Sequence, residues 1–320
     1  SVRAKHYSLS SLLQRSQNMS STSTDKLRMG LCQVSVGKDK AKNILNVRRC
    51  LEQAKDGGAQ MAVLPECWNS PYSTASFPAY AEPVPAVGAT LVDANTSPST
   101  HMLVSAAVET GMWIVGGSVP ERHVAQEGVE QLFNTCVVVN PAGQIVGKHR
   151  KVHLFDIDVP GRIKFKESDC LTGGDRITVV DTPWGGVGVA ICYDMRFPEL
   201  AIVMREMGAK VLLYPGAFNM VTGPAHWELL QRARAVDNQC FVATCSPSRD
   251  ESPDAGYVAW GHSTVVSPWG EVVQKAAEGQ EVIFADLDLA ETETMRQNIP
   301  CFAQKRTDLY SLTAAPSSKL

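Results

Sequence analysis

The sequence predicts an α/β protein with mixed sheets in one domain, and three features of its patterning predict it. Apolar, β-branched runs alternate with stretches whose apolar residues recur at helical spacing, the signature of βα units. Other apolar runs come in pairs around short turn signals, which adds antiparallel hairpins. Between residues 27 and 310 no repeat, linker or shift in composition divides the chain.

Taken in order, L-R-M-G-L-C-Q-V from Leu27 alternates as a strand. Ile44, Val47, Leu51 and Ala54 then recur at helical spacing until Gly57-Gly58 stops the helix. M-A-V-L-P-E (61–66) reads as a buried strand ending in a carboxylate. Residues 67–97, with Pro71, Pro78, Pro83 and Pro85, read as loop. A helix near 98–110 leads into the strand M-W-I-V-G-G-S, and T-C-V-V-V-N pairs with Q-I-V-G-K-H about P-A-G. A long polar loop is expected next, then the apolar run ending at Cys192 and a helix with Pro198 in its first turn. V-L-L-Y-P-G-A is a strand, a helix starts near Pro224, and C-F-V-A-T-C is another strand. S-T-V-V-S-P-W-G-E-V-V forms a hairpin, and E-V-I-F-A-D-L-D-L closes the sheets before a short helix and tail.

Of the 320 residues, 44% are hydrophobic and 20% charged, an ordinary globular balance. A net charge of −3 leaves no basic surplus for nucleic acid or an anionic membrane. No apolar run reaches the ~20 residues that span a bilayer. Nine cysteines form an odd, irregular set without a C-x-x-C pair, which suits an intracellular, reducing compartment. Residues 1–26 form an extension, 27–311 the folded domain, and 312–320 a flexible tail. The extension is rich in Ser and Thr, carries Arg3, Lys5 and Arg15, and has no acid before Asp25, so it reads as an organellar (chloroplast or mitochondrial) transit segment or a disordered leader. Met19 offers an alternative start. Ser318-Lys319-Leu320 matches the peroxisomal address. With neither address in use, the expected location is the cytoplasm.

The chemistry concentrates in three stretches. Val187, Val189 and Ile191 lead to Cys192 at an abrupt strand-to-helix turn, a geometry that exposes a nucleophile and aims the N–H of Tyr193 toward it. A buried structural cysteine is the plainer alternative. Glu66 ends its strand where open α/β sheets place their sites, as a general base or as an exposed loop acid. Lys151, in K-H-R-K-V-H-L-F-D-I-D, is expected against the core because Leu154 and Phe155 require burial. Alternatives are an ion pair with Asp156 and Asp158, or a metal site using His149 and His153, which lacks the glutamate of H-E-x-x-H.

P-E-C, H-R-K-x-H-L-F-D and G-V-G-V-A-I-C-Y-D-M-R-F-P-E, in this order, resemble the nitrilase/carbon–nitrogen hydrolase superfamily. L-P-E-C-W-N-S-P-Y, H-L-F-D-I-D-V-P-G, the stretch from Y-P-G-A-F-N to V-D-N-Q, and Y-V-A-W-G-H-S-T-V-V are similar to its ω-amidase branch. The resemblance implies a four-layer α-β-β-α sandwich that dimerises, a Glu66–Lys151–Cys192 triad, and Glu167 supporting the lysine and the water path. It implies hydrolysis of the terminal amide of α-ketoglutaramate and α-ketosuccinamate through a Cys thioester, with no metal or organic cofactor. Departures are Trp68 and Cys245, where Phe and Ala are more usual, and the two terminal extensions.

Physical chemistry fits that assignment. A neighbouring ammonium is expected to lower the Cys192 pKa from ~8.5. Glu66 would shuttle protons, and Lys151 with the Tyr193 N–H would bind the oxyanion. Arg196, four residues past the nucleophile, would clamp a substrate carboxylate, or pair with Asp194 or Glu199. The resemblance gives Arg196 and Tyr72 that substrate-binding role, and Phe218 is expected as a pocket wall. A buried guanidinium disfavours neutral nitriles. His226 packs, lines the pocket mouth or pairs with Cys192 in papain style, and Glu228 orients Lys151 or forms a structural pair. The alternatives are another amidase of the superfamily, acting on deaminated glutathione or a carbamoyl amide, or a silent scaffold.

Overall fold

The computed structural model describes residues 25–125, 128–252 and 256–315. The transit-like stretch (residues 1–24) and the Ser-Lys-Leu terminus lie outside the described residues.

Two sheets face each other. The first contains β1 (Lys26–Gln33), β2 (Met61–Val63), β3 (Trp113–Val115), β4 (Val119–Val124), β5 (Glu130–Val139), β6 (Ile145–Arg150) and β15 (Glu281–Asp288). Here β1, β2 and β3 run parallel, while β15 joins antiparallel to β1. The long strand β5 pairs antiparallel with β3, β4 and β6. The second sheet contains β9 (Thr178–Thr182), β10 (Gly185–Val189), β11 (Ala209–Pro215), β12 (Phe241–Cys245), β13 (Thr264–Val266) and β14 (Val272–Lys275). Its centre, β10–β11–β12, is parallel, and antiparallel partners flank it.

Helices α1 (Lys40–Asp56) and α3 (Pro98–Thr110) cover the first sheet, and α4 (Pro198–Glu206) and α5 (Thr222–Asn238) cover the second. A single turn, α2 (Phe77–Tyr80), lies in the loop after β2, and α6 (Ala290–Asn298) follows β15. The strand pleat sorts the cores. Met61 and Val63 point between the sheets, while Ala62 and Leu64 pack under α1 and α3. The result is the expected α-β-β-α sandwich with mixed sheets.

Three local readings change. Strand β2 ends at Val63, so Glu66 lies on a turn three residues beyond it. The expected polar loop contains a hairpin, β7 (Asp156–Val159) and β8 (Ile163–Lys166), turning at Pro160-Gly161. Its strands are largely exposed, so little apolar patterning marks them, although Ile157 and Phe165 pack on an aromatic cluster with Tyr72, Phe155 and Tyr193. Finally, a 3-10 turn, Cys192–Arg196, separates the nucleophile from α4, whose first residue is Pro198.

Candidate active site

Glu66, Lys151, Glu167 and Cys192 come from four separate segments and meet beyond the ends of β2, β6, β8 and β10. Each position follows from local constraints. After β2 the chain turns sharply through Cys67, a non-glycine residue at φ 50°, held by its N–H to Ser118 Oγ at 3.0 Å. Buried Trp68 anchors the same turn by donating to Gly116 O at 2.7 Å. Gly117 is required beside it, because a Cβ there would lie 2.1 Å from Pro65 O. Lys151 is the first residue past β6, and its N–H bonds Asn134 O at 2.8 Å. Glu167 opens a 3-10 turn after β8, and its Oε2 accepts the Phe155 N–H at 2.7 Å.

Cys192 lies three residues beyond the end of β10, at φ 48°. Gly216 lets β11 approach it, since a Cβ at 216 would sit 3.3 Å from Cys192 Cα and 3.2 Å from the Trp227 ring.

Lys151 is fully buried. Its Nζ donates to Glu66 Oε1 at 2.9 Å and to Glu167 Oε1 at 3.0 Å. Glu66 also accepts from Asn134 Nδ2 at 2.8 Å and from the Ala217 N–H at 2.9 Å. Burial and the Glu167 carboxylate raise the Glu66 pKa against the pull of Lys151. Burial pulls Lys151 down, but Glu167 and Glu66 more than offset it and hold the ammonium charged. The Cys192 thiol differs from expectation. Burial, with Glu66 adding, pushes it well above its ordinary value, although Lys151 pulls the other way. The ammonium is already shared by two carboxylates, so the resting nucleophile is a thiol beside a base rather than a preformed thiolate.

The substrate-side residues divide. Arg196 is half-buried; its guanidinium carbon lies 4.8 Å from the centre of the Phe218 ring and 5.6 Å from that of Tyr193. Its Nη1 donates to His226 Nδ1 at 3.2 Å, and neither Asp194 nor Glu199 pairs with it. Phe218 is buried between Arg196 and Trp227. Tyr72 lines the cavity beside the buried carboxylates. Its hydroxyl donates to Glu167 Oε1 at 2.7 Å, so its proton is committed within the carboxylate pair. Glu228 forms a surface pair with Lys275, away from Lys151. His149 and His153 both bond Asp194 rather than Asp156 or Asp158. Among the described residues no group of three or more His, Cys, Asp and Glu is arranged around a metal position. A cavity of about 630 Å³ reaches Glu66, walled by Cys67, Tyr72, Phe165, Ala217 and Tyr257.

Residues the sequence reading overlooked include Asn134 and Tyr257, whose hydroxyl donates to Ala217 O at 2.5 Å. Asn134 interrupts the apolar strand L-F-N-T-C-V-V-V, and a buried polar residue in such a run is the signal that could have found it. Tyr257 sits in a loop, and its only signal is that it opens the stretch Y-V-A-W-G-H-S-T-V-V that carries part of the resemblance.

Comparison with known proteins gives this geometry its context. A carbon-nitrogen hydrolase family model matches residues 28–297. The chain belongs to the carbon–nitrogen hydrolase family. It is 50% identical to "Omega-amidase NIT2" of Bos taurus, over 91% of this chain and 99% of that protein. It is also 50% identical to "Omega-amidase, chloroplastic" of Arabidopsis thaliana, over 90% of this chain and 74% of that one. The crystal structure of Saccharomyces cerevisiae Nit3, described as a member of branch 10 of the nitrilase superfamily, superposes with a TM-score of 0.77 at 40% identity. That alignment covers 88% of this chain and 97% of Nit3. This carbon–nitrogen hydrolase is an α/β enzyme of the nitrilase superfamily. Among its described residues no helix is long and apolar enough to cross a membrane.

Proposed function

We propose that this carbon–nitrogen hydrolase is an ω-amidase, releasing ammonia from the terminal amide of short α-keto dicarboxylate monoamides such as α-ketoglutaramate and α-ketosuccinamate. The observation that carries the anionic substrate is Arg196, a half-buried guanidinium beside Cys192 that stacks on Phe218 and, among the described residues, has no carboxylate partner. Such a charge is best satisfied by a carboxylate on the substrate. Identity of about half over nine-tenths of the chain to omega-amidases supports the same reading.

In this mechanism Cys192 Sγ attacks the amide carbonyl while Glu66 takes the thiol proton. Lys151 and the Tyr193 N–H carry the charge that develops on the carbonyl oxygen. Glu66 returns its proton to the nitrogen as the C–N bond breaks, ammonia leaves, and a thioester remains on Cys192. Water then gives a proton to Glu66 and attacks the thioester. The carboxylate product departs as the sulfur regains its proton. Glu167 holds Lys151 charged throughout and shares its other partner, Tyr72.

Side-by-side ammonia assays on α-ketoglutaramate, deaminated glutathione, a carbamoyl amino acid and an aliphatic nitrile test the substrate class. Turnover confined to the carbamoyl compound or the nitrile rejects it. We also propose a homodimer, supported by exposed Leu229 and Val236 on α5 beside exposed Trp269, where Arg232 Nε bonds Gly270 O of the same chain and ties the helix to that loop. Sedimentation tests that assembly. For location, the Ser/Thr-rich leader supports an organellar address and the Ser-Lys-Leu end a peroxisomal one, which fluorescent fusions of each end separate.

A further inference from the structure

We infer that Asp194 is a positioning residue that locks the Lys151 segment to the Cys192 turn, and that His149 and His153 are its grip on the lysine side. The inference rests on the reading of Cys192 as nucleophile and goes beyond the triad.

In H-R-K-V-H, His149 lies near the end of β6, Lys151 is the first residue past that strand, and His153 sits in the bend that follows. The two histidines flank Lys151 and both end on one carboxylate. Asp194 is fully buried. Its Oδ1 accepts from the His153 backbone N–H and from His153 Nδ1, each at 2.8 Å. Its Oδ2 accepts the Ile191 N–H at 2.9 Å and lies 3.3 Å from His149 Nε2. Thr178 fixes the far side of the His149 ring, Oγ1 to Nδ1, at 3.1 Å. The His153 ring stacks on Phe197, with centroids 3.6 Å apart and planes within 8°.

One side chain therefore bonds both the segment that carries Lys151 and the turn that carries Cys192. Its grip on the Ile191 N–H, together with its own N–H on Ile191 O at 3.0 Å, closes the turn around Cys192 and holds that residue at φ 48°. A left-handed cysteine persists only where its surroundings over-determine it. Through His149 and His153 the same carboxylate fixes the backbone on either side of Lys151. Burial alone would raise the Asp194 pKa, yet the bonds from His149, His153 and Ile191 hold it well below the usual carboxylate range. The charged form is thus the one the surroundings are built for. Asp194 touches no reacting atom; it sets where the oxyanion cation stands relative to the sulfur. Misplacing catalytic groups by about 1 Å lowers turnover on the order of a hundredfold.

The test compares Asp194→Asn, His153→Ala and His153→Asn in the full chain. Readouts are kcat and KM for α-ketoglutaramate, the rate at which iodoacetamide labels Cys192, and Tm. Both His153 variants lose the stack on Phe197, but asparagine keeps an N–H for Asp194, so their difference isolates the hydrogen bond. The expected result for Asp194→Asn is a kcat loss of about a hundredfold with KM within about threefold. His153→Ala should fall in the same direction, and His153→Asn should recover most of the loss. If Asp194→Asn does not fold, the His153 pair decides alone. Equal kcat in the two His153 variants, with only Tm lowered, overturns the inference. Should wild type ignore α-ketoglutaramate, the substrate reading fails, and the Cys192 labelling rates in the same three variants still decide this one.

Discussion

Lys151 Nζ lies 2.9 Å from Glu66 Oε1, and neither side chain is exposed to solvent. Glu167 Oε2 lies at the same distance on the ammonium, so one buried cation serves two carboxylates. Removing it leaves two buried acids without a counter-charge. Lys151→Met is therefore expected to lower stability by about 3–5 kcal/mol, the usual penalty for breaking a buried pair from one side. It should also lower kcat by roughly a hundred- to a thousandfold through the lost oxyanion donor. Thermal unfolding and steady-state kinetics on the same preparation separate the two effects.

Tyr72 offers a cleaner distinction. Because its hydroxyl donates to Glu167, Tyr72→Phe removes a bond to a charged acceptor, worth about 1.5–3 kcal/mol. The expected effect is a lower kcat with KM for α-ketoglutaramate nearly unchanged. A large rise in KM instead would return the hydroxyl to the substrate carboxylate, the role implied by the family resemblance.

The raised pKa of Glu66 sets the acid side of the pH profile. Glu66 works as a base only when ionised, and activity is lost as pH falls through its pKa. Burial and Glu167 raise that pKa, so the acid limb of kcat/KM should lie above the ordinary glutamate value of ~4.3. Replacing Glu167 with Gln removes the like charge, and the limb should then move to lower pH. A limb that stays in place with Gln would remove Glu167 from the titration.

Arg196 should govern affinity for the anionic end of the substrate. Arg196→Leu is expected to raise KM for α-ketoglutaramate by about 10- to 100-fold, since a charge-assisted bond contributes about 1.5–3 kcal/mol. A neutral amide of similar size should not lose affinity. Parallel rises for charged and neutral amides would make Arg196 structural.

Much of this site was legible because its chemistry sits where local patterns break. Cys192 ends an apolar β-branched run, Glu66 follows another, and Lys151 stands in a basic cluster pressed against Leu154 and Phe155. The α/β class with mixed sheets was legible from the alternation of periods, and only the resemblance gave the four layers. What the sequence concealed is set by contacts far apart in the chain. The Asn134 amide reaches Glu66 across 68 positions, and no local signal names that partner. The same holds for the Tyr72 hydroxyl, which finds Glu167 across 95 positions. The direction of the Cys192 pKa also needed the folded chain, because burial outweighs the pull of Lys151. Lys151 is visible in the sequence, but its division between two carboxylates appears only once the segments meet. The β7–β8 hairpin escaped because exposed strands need little apolar alternation.

The central claim is a cysteine amidohydrolase acting on an anionic ω-amide. Its most direct test is ammonia release from α-ketoglutaramate by wild type and Cys192→Ala, with glutamine and an aliphatic nitrile as controls. Wild type is expected to release ammonia rapidly from the keto-acid amide and little from the controls, and Cys192→Ala is expected to release none. Undiminished release by Cys192→Ala, or wild-type release only from the nitrile, would contradict that claim.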